Sequence, residues 1–194
     1  MQAGESPLLT LKIMTNQMTT VPIPEVLEND DVKLVLVKES DFEKIYEVGS
    51  DPKVWEQHPN PTRYQKEIFR TFFQGALESH AAYLIYDKKS GELAGSTRFY
   101  DYNEGDNSIF IGYTFYATKF WGTGINPKVK HLMMDYIFQY VDKINFHVGE
   151  DNKRSRIAME RLGAKLKEIV RVAYFGEPDR INAWYVIDKP ADNN

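Results

Sequence analysis

The stretch Trp121-Gly122-Thr123-Gly124-Ile125-Asn126-Pro127 constrains the fold of this chain most, because an apolar strand ends there and a long amphipathic helix begins. Before it, Ser108 to Tyr116 is rich in β-branched and aromatic residues, the make-up of a buried strand. After it, Val129, Leu132, Met133, Tyr136, Ile137, Tyr140 and Val141 recur at the spacing of one helix face. Lys128, Lys130, Asp135 and Asp142 fall largely off that face. Asn126 is the candidate helix cap, and Pro127 suits the first helical position, where no N–H is needed. The two glycines allow a tight turn and leave its N–H groups uncovered by side chains. Those groups and the positive end of the helix dipole converge on a spot suited to phosphate. Taken alone, the same residues also suit an ordinary strand-turn-helix junction. With no third glycine and no Gly-Lys-Ser/Thr, the turn is neither the dinucleotide fingerprint nor a Walker A loop.

Charge and composition narrow the ligand. The chain has no cysteine, which excludes disulfides, thiolate metal sites and thiol nucleophiles, and no metal is expected. A net charge of −4 gives no general affinity for nucleic acid. Between Lys119 and Lys167, however, ten basic side chains face five acidic ones, an excess that suits a polyanionic small ligand or a solvated face. With 42% hydrophobic residues, the 194-residue chain can bury a sizeable core. No apolar run is long enough to span a bilayer, and no basic n-region precedes the short Leu8-Leu9 pair. The expectation is a cytoplasmic protein with no membrane partner, either monomer or homodimer.

Along the chain, residues 1–30 contain Pro7, Pro22 and Pro24 and read as an extended arm. Residues 31–189 read as a single domain, and 190–194 as a tail. Strands are expected at Lys33–Val37, Ala82–Tyr86, Leu93–Tyr102, Ser108–Tyr116, Lys143–Val148, Leu166–Phe175 and Ile181–Asp188. Helices are expected over Phe42–Gly49, Tyr64–Glu78, the stretch from Asn126 onward, and Lys153–Leu162, which Gly163 closes. Asp51 to Thr62, with its prolines, Trp55 and His58, reads as a loop. The order is an antiparallel hairpin series running into one β-α-β crossover. This is an α/β (α+β) fold with a mixed sheet of about seven strands and helices on both faces, its site where the crossover begins.

Several stretches in this order resemble the GNAT superfamily of acyl-CoA-dependent N-acetyltransferases. Gly95-Ser96-Thr97-Arg98-Phe99 and Ile111-Gly112-Tyr113-Thr114 are similar to its central strands. Trp121 to Asn126 stands in the place of its (Gln/Arg)-x-x-Gly-x-(Gly/Ala) pyrophosphate loop, with Trp121 and Asn126 taken at the pattern's two ends. Asn152 to Ala164 is similar to the Asn-x-x-Ser…Glu-x-Leu-Gly segment of the ribosomal-protein (Rim-type) branch, and Arg180 to Tyr185 resembles that branch's last strand. The likeness covers roughly residues 31 to 189.

The resemblance implies a mostly antiparallel sheet whose central parallel pair, Ser108–Tyr116 and Lys143–Val148, splays to admit acetyl-CoA as co-substrate. Backbone groups of Thr114, Phe115 and Tyr116 would pair with the pantetheine amides. The N–H groups of Trp121, Gly122, Thr123, Gly124, Ile125 and Asn126 would hold the pyrophosphate. Asn152 would bond the pantetheine arm, and Arg154 or Arg156 would reach the ribose phosphate. Met159 stands where many members carry a tyrosine acid, and Ser155 is the Rim-type substitute for it. Phe110 occupies a frequent carboxylate-base position, so no strong base is evident. The implied acceptor is a primary amine, either the α-amine of a protein N-terminus or of an amino-acid-like small molecule. The alternative is a non-catalytic acyl-CoA-binding sensor. Without the resemblance, Ser155 reads as a surface helix residue, Asn152 as a plain cap and His147 as a core or rim histidine. Trp55 and His58 either line the acceptor site or anchor their loop.

Overall fold

The computed structural model describes residues 11–13, 21–58, 60–173 and 178–191. The apolar runs of the chain form nine strands: β1 (Leu11–Ile13), β2 (Val26–Glu28), β3 (Val32–Leu36), β4 (Ala82–Asp87), β5 (Leu93–Asn103), β6 (Ser108–Tyr116), β7 (Lys143–Gly149), β8 (Lys165–Ala173) and β9 (Arg180–Asp188). They lie in one sheet in the order β1-β8-β9-β7-β6-β5-β4-β3-β2. Neighbours are antiparallel except β6 with β7 and β1 with β8. The sheet exceeds the expected seven strands because the lead-in contributes both edges. Three-residue strands such as β1 and β2 are too short to show a period in the sequence.

Five helices cover the sheet: α1 (Phe42–Gly49), α2 (Pro52–Trp55), α3 (Lys66–Glu78), α4 (Ile125–Ile137) and α5 (Lys153–Arg161). On one face Phe42, Ile45, Trp55, Phe69 and Phe72 of α1–α3 pack against Leu84 and Phe115. On the other, Val129, Met133 and Ile137 of α4 and Met159 of α5 pack against Ile109, Ile111, Ile144 and Phe146. Burying a side chain of this size contributes roughly 1.5–3 kcal/mol, so the two layers hold the sheet between them. The single turn α2 lies inside the stretch expected as a loop; Asp51 caps it by accepting from the Lys53 N–H. Trp55 is fully buried there and donates its indole N–H to the Gly49 carbonyl at 2.7 Å, so it anchors the segment.

Two local features open the sheet. β6 and β7 pair only over Ser108–Phe110 and Lys143–Asn145, although β6 runs on to Tyr116 and β7 to Gly149. Tyr113 takes a left-handed φ of 51°, and the β5–β6 register shifts between Ser96 and Arg98. Such a bulge bends its strand and strengthens the local twist, which carries β6 away from β7.

The start of α4 corrects the sequence reading. Its cap is Gly124, at φ 83°, and the helix begins at Ile125. Asn126 lies inside the first turn, where its Oδ1 accepts from the Tyr116 hydroxyl at 3.2 Å. Pro127 becomes the third helical residue, still within the turn whose N–H groups have no helical acceptor. The helix also ends earlier than its apolar period suggests, leaving Tyr140 beyond Ile137 and exposed. Lys130, expected off the apolar face, is only 3% exposed. At the other end of the crossover, α5 closes as expected. The Gly163 and Ala164 N–H groups donate back to Glu160 and Met159. Tyr174, Phe175, Gly176 and Glu177 lie outside the described residues, as does most of the N-terminal arm.

Candidate active site

A cavity of about 750 Å³ passes through the gap between β6 and β7 and is lined from both faces of the sheet. Of the residues expected to bind or catalyse, Thr114, Phe115, Tyr116, Trp121, Gly122, Gly124, Ile125, Asn126, Asn152, Arg154 and Ser155 line it. Thr123 and Arg156 do not. The Thr123 hydroxyl donates to the Phe120 carbonyl at 2.8 Å and braces the turn from inside. Arg156 points back into the fold, where Nε donates to the Tyr185 hydroxyl at 3.1 Å and Nη1 to the Glu150 carbonyl at 3.2 Å.

The mouth of the cavity is built by the turn before α4. Gly122 and Gly124 both have left-handed φ, 73° and 83°, and nothing lies within 4 Å of where a Cβ would project from either. Glycine is therefore required by the backbone, and the space above it is open. The N–H groups of Trp121 and Thr123 donate to Thr118 and Phe120. Those of Gly122, Gly124, Ile125 and Asn126 make no bond to the chain among the described residues. They sit at the positive end of α4. With Gly122 and Gly124 as the paired glycines, the loop pattern's first position falls on Lys119 rather than Trp121. Lys119 is ion-paired with Glu92 at 2.6 Å.

Trp121 serves the mouth differently. The Arg154 guanidinium lies 3.9 Å over its ring centroid, and the indole N–H donates to the Tyr116 carbonyl at 3.2 Å. A guanidinium on an indole face is held in place while its edge N–H groups stay available. Burial lowers the Arg154 pKa somewhat, against the opposing pull of Glu56. Below the stack, Asn152 caps α5: its Oδ1 accepts from the Ser155 N–H at 3.0 Å, which fixes Ser155 in the first turn.

On the opposite face the cavity meets Val54, His58, Arg63, Tyr100, Tyr113 and His147. The buried Arg63 guanidinium lies over the rings of Phe72 and Trp55, at 4.7 and 5.4 Å. His58 packs edge-on against Trp55, with centroids 5.0 Å apart. Burial first, then the nearby Arg63 and Arg154 charges, holds His58 down to about 3, so it is neutral at any working pH. His147 lies tilted against Phe110, with centroids 4.5 Å apart, and meets Trp184 edge-on at 5.9 Å, so it belongs to both core and rim. Among the described residues, no Asp or Glu lines this cavity.

Sequence reasoning missed Lys130, Arg63 and Arg161, all of which line the cavity. Lys130 Nζ donates to Thr114 Oγ1 at 2.7 Å and to Thr97 Oγ1 at 3.4 Å. Those two hydroxyls are themselves 2.9 Å apart. Desolvation pulls Lys130 down from 10.5 to about 7. The cues present in the sequence were the two threonines, Thr114 on β6 at the gap and Thr97 on its neighbour β5, and a lysine in the second turn of α4.

The sheet is thus parted at one parallel pair, with a glycine turn of uncommitted N–H groups at one mouth and an aromatic chamber holding Arg63 at the other, an architecture that can hold an extended ligand between two strands. Residues 31–165 match the family model for an acetyltransferase (GNAT) domain, and the chain belongs to that family. It is therefore an N-acetyltransferase, an enzyme that moves an acetyl group from acetyl-CoA to nitrogen. The fold agrees with solved structures. A GCN5-related N-acetyltransferase from Brucella melitensis superposes with a TM-score of 0.72 at 20% identity, over 87% of this chain and 81% of that one. RimL, a ribosomal L7/L12 α-N-protein acetyltransferase solved with coenzyme A, gives 0.68 at 20% identity, over 84% and 98%. The spermidine N-acetyltransferase of Vibrio cholerae, solved with CoA and spermine, gives 0.64 at 15%, over 83% and 97%. At these identities the likeness is one of fold. No curated protein sequence matches the chain.

Proposed function

We propose that this enzyme binds acetyl-CoA between β6 and β7 and acetylates an α-amine, of a protein N-terminus or of an amino-acid-like small molecule. The observation that carries this reading is the turn from Gly122 to Asn126, with four N–H groups uncommitted to the chain and open space above two left-handed glycines. Such a cradle fits a pyrophosphate. The edge of β6 at Thr114, Phe115 and Tyr116, unpaired with β7, offers its backbone to the pantetheine amides. Asn152 reaches the same arm, Arg154 on Trp121 takes the ribose phosphate, and Ser155 turns its hydroxyl to the leaving sulfur. The residues present fit coenzyme A.

The chamber beyond the gap supports the acceptor. A polyamine carries several positive charges and needs carboxylates to hold them, whereas this cavity presents the guanidinium of Arg63 and, among the described residues, no carboxylate. An α-amine of pKa about 8 is roughly 10% neutral at pH 7, against ~0.04% for a lysine amine. With Phe110 in the usual carboxylate position, the amine that needs least help from a base is favoured. The Rim-type likeness of Asn152 to Ala164 points the same way. The test is turnover of matched α-amine, lysine-type and polyamine acceptors, beside calorimetry with acetyl-CoA. Micromolar binding and a preference for the α-amine at pH 7 are expected. A preference for the lysine amine or the polyamine would overturn the acceptor, and no binding would overturn the reading itself.

A further inference from the structure

We infer that Lys130 is a catalytic residue of the transfer: its ammonium gives a proton to the departing thiolate, and its amine takes up the proton that the acylated nitrogen releases. This rests on the acetyl-CoA reading above. Among the described residues, Lys130 is the only lysine that is buried, and it borders the same cavity as Ser155 and Thr114. It projects from the helix whose first turn forms the phosphate cradle, toward the strand edge offered to the pantetheine arm.

Its surroundings suit proton transfer rather than structure. Thr114 and Thr97 meet Nζ from β6 and β5, and Met133 of its own helix accepts weakly from Thr97 at 3.6 Å. Both threonine partners are neutral hydroxyls, so the group keeps no fixed counter-charge. The other titratable groups on the cavity are Tyr100, Tyr113, Tyr116, His58, His131, His147, Arg63, Arg154 and Arg161. None is a carboxylate that would lock the ammonium on. Desolvation alone brings Lys130 to about 7, so both forms coexist near neutrality, as an acid that must be recharged requires. A thiol has a pKa near 8.5, so an ammonium of about 7 protonates a thiolate downhill. The Ser155 hydroxyl, a far weaker acid, can only hydrogen-bond to that sulfur. The two side chains therefore divide the task.

The step balances. The acceptor nitrogen forms a bond to the thioester carbonyl carbon, and the C–S bond breaks with its electron pair on sulfur. A proton passes from Lys130 Nζ to sulfur, giving the free thiol. The proton lost by the acetylated nitrogen returns to the lysine amine, and no other reactant is needed.

The experiment compares wild type, Lys130→Met and Lys130→Arg with two donors: acetyl-CoA, and an acetyl thioester of a nitrothiophenol, whose thiolate leaves unprotonated. With acetyl-CoA, kcat should fall by roughly 10²–10⁴-fold in both variants, and the limb near pH 7 should vanish from the pH–rate profile. With the nitrothiophenol donor, most of that loss should disappear. Equal losses with both donors, a retained limb, or wild-type turnover in the arginine variant would overturn the role. A wild type that neither binds acetyl-CoA nor acetylates any amine would instead sink the underlying reading and this role with it. Active wild type with unaffected variants would sink this role alone.

Discussion

Lys130→Met should make the protein more stable, and by an amount that depends on pH. Folding moves the lysine from an ordinary 10.5 to about 7, because the closed cavity wall strips water from the ammonium. The folded pKa lies below the unfolded one, so between those values the unfolded chain binds more protons, and stability rises with pH across that window. Each pH unit between the two values is worth ~1.4 kcal/mol, so the gross penalty is roughly 4–5 kcal/mol below pH 7. At pH 9 about 2 kcal/mol of it remains, and above 10.5 none. Methionine fills a similar volume without charge. It forfeits the bonds to Thr114 and Thr97, about 1 kcal/mol net, because those hydroxyls still bond each other at 2.9 Å. The expected gain is roughly 3–4 kcal/mol at pH 6 and about 1 kcal/mol at pH 9. Urea melts of both proteins at the two pH values measure it, and the difference of roughly 2–3 kcal/mol between them is the diagnostic quantity. A gain that does not change with pH would refute the reasoning, since it would show that the lysine does not titrate differently in the folded chain. A loss at both pH values would show that packing and hydrogen bonds outweigh the buried charge.

Two further predictions concern the donor end of the cleft. A Cβ at position 124 would meet no protein atom within 4 Å but would sit at a φ of 83°, so Gly124→Val should cost about 1–2 kcal/mol in backbone strain and close the space over the turn. Acetyl-CoA affinity should drop at least tenfold, ~1.4 kcal/mol, and unchanged calorimetry on the folded variant would remove the turn as the phosphate site. Arg154 and Arg156 of α5 should behave oppositely. Arg154→Ala should weaken CoA more than dephospho-CoA. Arg156→Ala, which loses its bonds to Tyr185 and Glu150, should instead lower stability by about 1–2 kcal/mol and leave CoA affinity alone. The reverse pattern would show that the two side chains exchange places when ligand binds.

Features set by neighbours in sequence were legible, and features set by distant neighbours were not. The strand-turn-helix junction, the Asn152 cap and the Gly163 ending of α5 each depend on residues within a few positions, and each stands where local chemistry places it. The exact cap of α4 was not legible. Asn126 is a good capping residue by type, but the Tyr116 hydroxyl, ten residues back, takes its side chain instead. Arg154 and Arg156 are equivalent by composition. Only the fold shows that one faces Trp121 and the cavity while the other meets Tyr185 on β9. Strand β1 is an edge made by pairing with β8 far along the chain, whereas β2 folds back on its neighbour β3, and three residues hold no period from which to infer either.

Lys130 shows why a helical wheel can mislead at an active site. On α4 it stands one residue after Val129 and three before Met133, on the border of the apolar stripe, where a long charged side chain ordinarily extends to water. Here the border does not face water. The helix covers the sheet beside the gap, and Thr114 on β6 and Thr97 on its paired neighbour β5 set two hydroxyls beneath it. The buried lysine therefore has a polar floor to reach in place of solvent. A hydrophobic residue at 130 would be easier to bury, and roughly 4–5 kcal/mol is a large part of the 5–15 kcal/mol that hold a domain folded. A stability loss of that size, kept beside the reactive cleft, is what a proton-transfer role at this position predicts. The same variant should then be the more stable protein and the poorer enzyme, and only the two measurements together separate a working lysine from a merely tolerated one.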